Sequence, residues 1–439
     1  MGRCQIVSSL NQVVPGSSDD RRSLARWNQR RDDAPRVVCI GDSITSADAG
    51  HPSLNQGIIG WTEHLAGALS METEPDGGFR GLWRSDEWTQ IGTWTGVTRA
   101  DPYDVAPFEQ ALFSSGRSID RLTWTKPAAM TAARFDLYWL HMPGTGDWQY
   151  RVDGGKWQRS GVRSSAADNG LHKLSIEQPI TKKLDIRGFD GSSPCVAPMV
   201  GISTSALPSP GKSAVVHNVA HGGDLLSRFC RPSLGDPLAL LDHLQPDLVT
   251  ILFSNDVVWR RPDLFAEPLH RLIDRVRYSA DVLVIAPYEQ DTQRTVPDAT
   301  TIRGSTVLRS PSAAFLSTDV ARQLAGTNVP NGAVIGSVIS PESVRMSGPA
   351  TGSAEHGALK IGSPRTPEVQ ATYRAVAKDV ANSTGCAFLD LYEVWTDLAG
   401  PGWEAACAHG LMADTLHPSQ RGHDEIARRV LAKLGLPSN

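Results

Sequence analysis

With 439 residues the chain is too long for one ordinary core, so two domains or one heavily inserted domain is expected. Its 40% hydrophobic and 21% charged content is that of a soluble globular protein, and a net charge of −4 gives no argument for nucleic acid or an anionic membrane as partner. No apolar run reaches bilayer length, and six cysteines without CxxC spacing argue against a zinc ribbon.

Met1 to Pro15 lacks a basic start followed by an apolar core, so it is not read as a signal peptide; an extracellular or virion-associated setting stays open. Residues 1–34 are polar and read as a short surface helix or arm. Val37-Val38-Cys39-Ile40 then runs into Gly41-Asp42-Ser43. An apolar run of this kind predicts a parallel strand buried on both faces, and the turn at its end would present a serine hydroxyl at the carboxyl edge of the sheet, where open α/β sheets bind ligands. Gly57–Leu69 has helical apolar spacing.

From about residue 77 to 210 the character changes to short runs rich in Trp, Thr, Val and Ile between turn residues. Ile119–Thr125, Arg134–His141, Trp148–Val152, His172–Ile176 and Lys183–Ile186 predict strands, and Asp153-Gly154 predicts a hairpin turn. The stretch predicts an inserted all-β sandwich carrying seven of the twelve tryptophans. For any one Trp the plain reading is sandwich core, and the sharper one a platform for sugar rings.

The α/β pattern resumes with predicted strands at Ala214–Val219, Asp247–Phe253, Asp281–Ala286 and Cys386–Leu391, and helices at Pro237–Leu244, Pro262–Ser279, Pro367–Asn382 and Gly422–Leu434. Five strands alternating with helices predict a doubly wound parallel sheet, built from residues 35–76 and 211–439. Residues 291–365, rich in Ser, Thr, Gly and Pro, read as a long insertion or lid, with a short strand expected at Ala333–Ile339. A Cys386–Cys407 or Cys195–Cys230 disulfide is open on sequence grounds.

A serine needs a base to take its proton, an acid to orient that base, and donors for the developing oxyanion. Asp414-Thr415-Leu416-His417 supplies a carboxylate three residues before an imidazole, ahead of the last helix. Gly223, after the second strand, offers a free N–H, and Asn255, after the third, an amide. Ser43 N–H would be a further donor. His221, Asp42, Phe253 and Trp259 are candidate pocket residues. Asp224 and Asp256 read as caps of the segments that follow them. A metal site joining His217, His221 and Asp224 to Asp42 lacks the clustered ligands of a two-metal centre, so no metal and no cofactor are expected.

These blocks resemble the SGNH (GDSL-type) hydrolase family, named for a Ser, a Gly, an Asn and a His. Gly41-Asp42-Ser43, Gly223, Asn255 and the Asp414/His417 DxxH pair match its blocks in order. Phe253 departs from the glycine usual two residues before the asparagine. The resemblance implies a flavodoxin-like sheet and a serine esterase with Ser43 as nucleophile, His417 as base and Asp414 as orienting carboxylate. The β insert is similar to that of SGNH carbohydrate esterases with a carbohydrate-binding-like sandwich, and Gln90–Thr95 and Tyr150–Gly155 to actinobacterial and phage SGNH proteins. The expected partner is therefore an acylated carbohydrate or another small ester, in a homo-oligomer or virion assembly if any. A lipase or thioesterase, or a structural tail protein with a vestigial site, are the rivals.

Overall fold

The computed structural model describes residues 23–33, 35–47, 59–69, 78–81, 87–92, 94–96, 112–114, 120–126, 134–141, 148–160, 170–188, 199–205, 214–230, 237–259, 262–363 and 365–437. Strands β1 (Arg36–Gly41), β2 (Val215–Asn218), β3 (Leu248–Leu252), β4 (Asp281–Ala286) and β5 (Ala387–Asp390) form one parallel sheet in the order β2-β1-β3-β4-β5. That is the doubly wound order whose switch point lies beside the first strand.

Alternation along the strands explains the two layers. Val38, Ile40, Val249, Ile251, Val282 and Val284 face one core, with helices α5 (Pro237–Leu244), α6 (Asp263–Val276) and α7 (Pro367–Thr384). Val37, Cys39, Leu248, Leu283 and Ile285 face the other, with helices α3 (Trp61–Leu69), α8 (Leu391–Ala399), α9 (Trp403–Ala408) and α10 (Gln420–Lys433). Among the described residues the remaining α-helices are α1 (Ala25–Arg30), α2 (Ser43–Ser46) and α4 (Leu226–Phe229). No described helix is long and apolar enough to cross a membrane.

The polar arm is not wholly a solvated face. Leu24 and Trp27 are buried in the second core. Trp27 N–H donates to Asp281 at 2.7 Å and its indole N–H to the Leu434 carbonyl at 2.9 Å, so α1 ties the start of β4 to the last helix. The six-residue α1 buries one side chain, Trp27, among charged neighbours, which leaves little apolar pattern to read in the sequence.

Between β1 and β2, two antiparallel sheets pack face to face. One includes Arg134–His141, Gly170–Ile176 and Met199–Ser205; the other runs Trp88–Ile91, Arg121–Thr125, Lys183–Gly188, Trp148–Val152, Gln158–Arg159. Trp88, Trp124, Trp139 and Trp148 are buried in the core between them, so none of the four is a sugar platform. The turn at Asp153-Gly154 takes positive φ at both residues, 49° and 76°, and Gly155 N–H closes it on Val152 at 2.8 Å. The first sheet turns its outer face to the hydrolase layer: Tyr138, Leu140 and Leu171 join the core beside α5, and the His243 ring reaches the Leu171 carbonyl at 3.3 Å. His243 sits in the last turn of α5, at the sheet end opposite Ser43.

Residues 291–365 are a second β module. Arg294–Thr301, Val307–Arg309, Leu324–Gly326, Ile335–Ser340, Ser343–Met346 and Ala354–Ile361 form one sheet over a core that includes Leu308, Phe315, Ile335, Val344 and Leu359. The expected strand at Ala333–Ile339 is displaced by one or two residues. Cys386 and Cys407 are free thiols, so that disulfide is not made, and Cys230 is free as well; Cys195 lies outside the described residues.

Candidate active site

Strand β1 ends at Gly41, where any side chain would run into the Leu252 carbonyl and the Thr45 hydroxyl, 2.2 and 2.4 Å from an added Cβ. Glycine therefore lets β1 turn sharply against β3. Asp42 caps α2 by accepting Ile44 N–H at 3.1 Å, which stands Ser43 at the first helical position on the carboxyl edge.

Asp42 was a candidate pocket residue, but it is 0% exposed. Its second oxygen accepts Ser254 N–H (2.6 Å), Ser254 Oγ (2.7 Å) and Asn255 N–H (2.9 Å). Burial raises its pKa, against the pull of these donors. Its work is to lock the end of β1 to the loop after β3, so the serine and asparagine blocks are one rigid unit.

Ser43 Oγ lies 2.9 Å from His417 Nε2, and His417 Nδ1 lies 2.9 Å from Asp414 Oδ2. The other Asp414 oxygen accepts Leu416 and His417 N–H groups, each at 2.7 Å, so the carboxylate is held by its own turn. Burial alone would raise the Asp414 pKa; the His417 ring and these N–H groups outweigh it and hold the carboxyl below its usual range. A carboxylate ionised at neutral pH is what an imidazolium partner requires.

On the other side of Ser43, the parallel ladder continues past β2: Val219 N–H donates to Cys39 at 3.0 Å and His221 N–H to Gly41 at 3.1 Å. This carries the Gly222-Gly223 turn up beside the serine. Gly223 has φ +77°, a left-handed conformation that favours glycine, and open space where a side chain would stand. Asn255 Nδ2 donates one hydrogen to the Asp224 carbonyl at 3.3 Å, which orients the amide and leaves its second hydrogen for a ligand. His221 is buried, and burial lowers its pKa.

Phe253 does not line a pocket. It is 3% exposed and tilts against Phe229 at 6.1 Å in the core beneath the site. The Trp259 side chain lies outside the described residues. Asp224 accepts Leu225 N–H at 2.8 Å, whereas Asp256 accepts Leu226 N–H at 2.9 Å and so caps α4 from a different loop than the one it begins. Among the described residues no group of three or more His, Cys, Asp or Glu is arranged to hold a metal ion.

Asp256 carries a pH signature. Burial, and then the Asp42 charge, push its pKa up from 3.8 to about 7 against its backbone donors. The folded protein then holds a proton that the unfolded chain releases near pH 4, so stability falls as pH rises from about 4 to about 7. Asp256→Asn is expected to flatten this fall, and thermal midpoints measured from pH 5 to 8 check it; an unchanged slope would count against the shift.

Several supports have no sequence signal because their partners are remote. Tyr288, stacked on Trp395 at 4.0 Å, donates its hydroxyl to the Leu416 carbonyl at 2.7 Å. Trp403 Nε1 donates to the Asp414 carbonyl at 3.2 Å. The buried Arg322 of the second β module lies over the Trp403 ring at 4.9 Å and pairs with Asp291 (2.6 Å) and Asp319 (2.7 Å), while Asp291 N–H binds the Thr415 carbonyl at 3.1 Å. This module, read from the sequence as a long insertion or lid, thereby braces the DxxH turn. Arg365, 8% exposed, places its charge within reach of Asp42 and Asp414.

An α/β sheet of this order, with serine, glycine, asparagine and the Asp-His turn gathered on one edge, defines an SGNH-type hydrolase. The model of the GDSL-like lipase/acylhydrolase family matches residues 191–425, more than half of the chain, and the protein belongs to that family. The match takes in Gly223, Asn255, Asp414 and His417 and begins after Ser43, which the inserted strands set apart. Among solved structures, a lipase/acylhydrolase from Enterococcus faecalis is 18% identical over 52% of this chain and 80% of its own, with a TM-score of 0.29. An acetylxylan esterase from Geobacillus stearothermophilus is 16% identical over 51% and 73%, TM-score 0.27. A family 35 carbohydrate-binding module from Clostridium thermocellum is 18% identical over 28% and 93%, TM-score 0.22. No curated protein sequence matches.

Proposed function

We propose that the protein is a serine esterase that removes O-acyl groups, acetyl above all, from a carbohydrate. The observation that carries this reading is the continuous relay Ser43–His417–Asp414, with both links at 2.9 Å. In this mechanism His417 Nε2 takes the Ser43 proton as Oγ attacks the ester carbonyl. Asp414 fixes the tautomer and stabilises the imidazolium. The oxyanion is received by the N–H groups of Ser43 and Gly223 and by the Asn255 amide. His417 then passes its proton to the departing sugar hydroxyl, leaving an acyl-enzyme. A water, deprotonated by the same imidazole, releases the carboxylic acid and restores Ser43.

The groups that the strand ends bring to this edge are short or polar: Gly223, with open space where a side chain would stand, and the Asn255 amide. Such surroundings suit a small acyl group on a polar alcohol better than a long chain, and the intact relay favours an operating site over a vestigial one. The test is labelling by a fluorophosphonate together with turnover of nitrophenyl esters of increasing length. Labelling that vanishes in Ser43→Ala and turnover confined to short esters are the expected results. Preference for long esters would replace the reading with a lipase; labelling that persists in Ser43→Ala would remove the nucleophile.

A further inference from the structure

The sandwich's second sheet has one face in the core and one turned away from the hydrolase layer. Register places Arg121 and Thr123 of one strand, Lys183, Asp185 and Arg187 of the next, and Gln149 and Arg151 of the third on that outer face, with Arg159 opposite Gln149 at the edge. Among the described residues, Arg121, Arg151, Lys183 and Arg187 thus share the middle of that face with the one carboxylate of Asp185, in a chain whose net charge is −4.

That carboxylate, Asp185, is buried beneath them. It takes Arg151 Nε at 2.8 Å and Thr123 Oγ1 at 2.7 Å, with Arg121 and Lys183 each at 3.7 Å. Asp185 shows how the face holds a carboxylate, and its single charge is set against those of Arg121, Arg151 and Lys183, with Arg187 beside them. Trp157, from the hairpin loop, stands outside the sandwich core that holds Trp88, Trp124, Trp139 and Trp148. Its ring lies 4.0 Å from the Arg187 guanidinium and 4.6 Å from that of Arg151. Gln149 Oε1 accepts from Arg187 Nε and Nη2 at 3.2 and 3.0 Å. The guanidiniums are therefore held in place by a ring and an amide, with donors left over.

We propose that this outer face binds a carboxylate-bearing polysaccharide. Charge complementarity names the anion, since pre-set guanidinium forks match planar carboxylates. Exposed Thr89 and Thr125 supply hydroxyls to the same face for sugar hydroxyls. Single-stranded nucleic acid is disfavoured because it needs open aromatic faces for its bases, and the Trp157 ring is met by guanidinium. The face stands independently of the esterase reading; only the link between bound polymer and acylated substrate rests on it.

The experiment uses the full chain and three immobilised probes: polygalacturonate, neutral xylan and duplex DNA, in low and high salt. Salt-sensitive retention on polygalacturonate, without retention on xylan, is expected. The double variant Arg187→Gln/Lys183→Gln, which leaves the Arg151–Asp185 pair in place, is expected to weaken that retention at least tenfold while nitrophenyl acetate turnover and thermal midpoint stay unchanged. Equal binding to xylan, equal binding to DNA, or retention untouched in the double variant would each overturn the proposal. Loss of ester turnover with polygalacturonate binding intact would instead strike at the catalytic reading alone.

Discussion

Replacing Ser43 by alanine is expected to lower kcat by about 10⁴-fold or more, and His417→Ala by a similar factor, with the double variant little worse than either. The reason is the single chain of bonds that joins them: an alkoxide cannot form without a base, and the base has nothing to deprotonate without the hydroxyl. Asp414→Asn should fall by about 10⁴-fold as well, since an amide in its place favours the wrong imidazole tautomer. Steady-state kinetics on nitrophenyl acetate, with the residual rate compared to water, checks all four. Multiplicative losses in the double variant would show that the two residues do not work as a unit.

Asn255→Ala is the second large effect, expected to lower kcat by about 10²–10³-fold with KM scarcely moved. A donor that meets charge only in the transition state affects the barrier and leaves ground-state binding alone. Its amide is aimed by the Asp224 carbonyl, and its backbone is fixed by Asp42, so removal of the side chain subtracts a donor without moving Ser43. A matching rise in KM would show that the amide binds substrate rather than the oxyanion.

Much of this architecture was legible because each signal is local. Val37–Ile40 and Asp281–Ala286 are apolar runs bounded by turn residues, and both are strands in the structure. Ser43, Gly223 and Asn255 each follow a strand end, which is enough to predict that they meet. What stayed hidden depends on contacts distant in sequence. Phe253 looked like a pocket wall, because nothing local reveals that Phe229 waits beneath it. Asp42 looked accessible beside the nucleophile, yet its three donors come from a loop more than two hundred residues away. Residues 291–365 gave weak alternation because register shifts interrupt two of their strand pairings, and the buried Arg322 looks like any other arginine.

Ser43 and His417, the proposed nucleophile and base, come from opposite ends of the chain, 374 residues apart, with two β modules between them. Each module pairs its strands within its own stretch of chain, whereas the parallel sheet must wait for β5 and the DxxH turn. Long-range pairings form slowly. The catalytic edge is therefore expected to assemble last: on refolding, β structure should return well before esterase activity does.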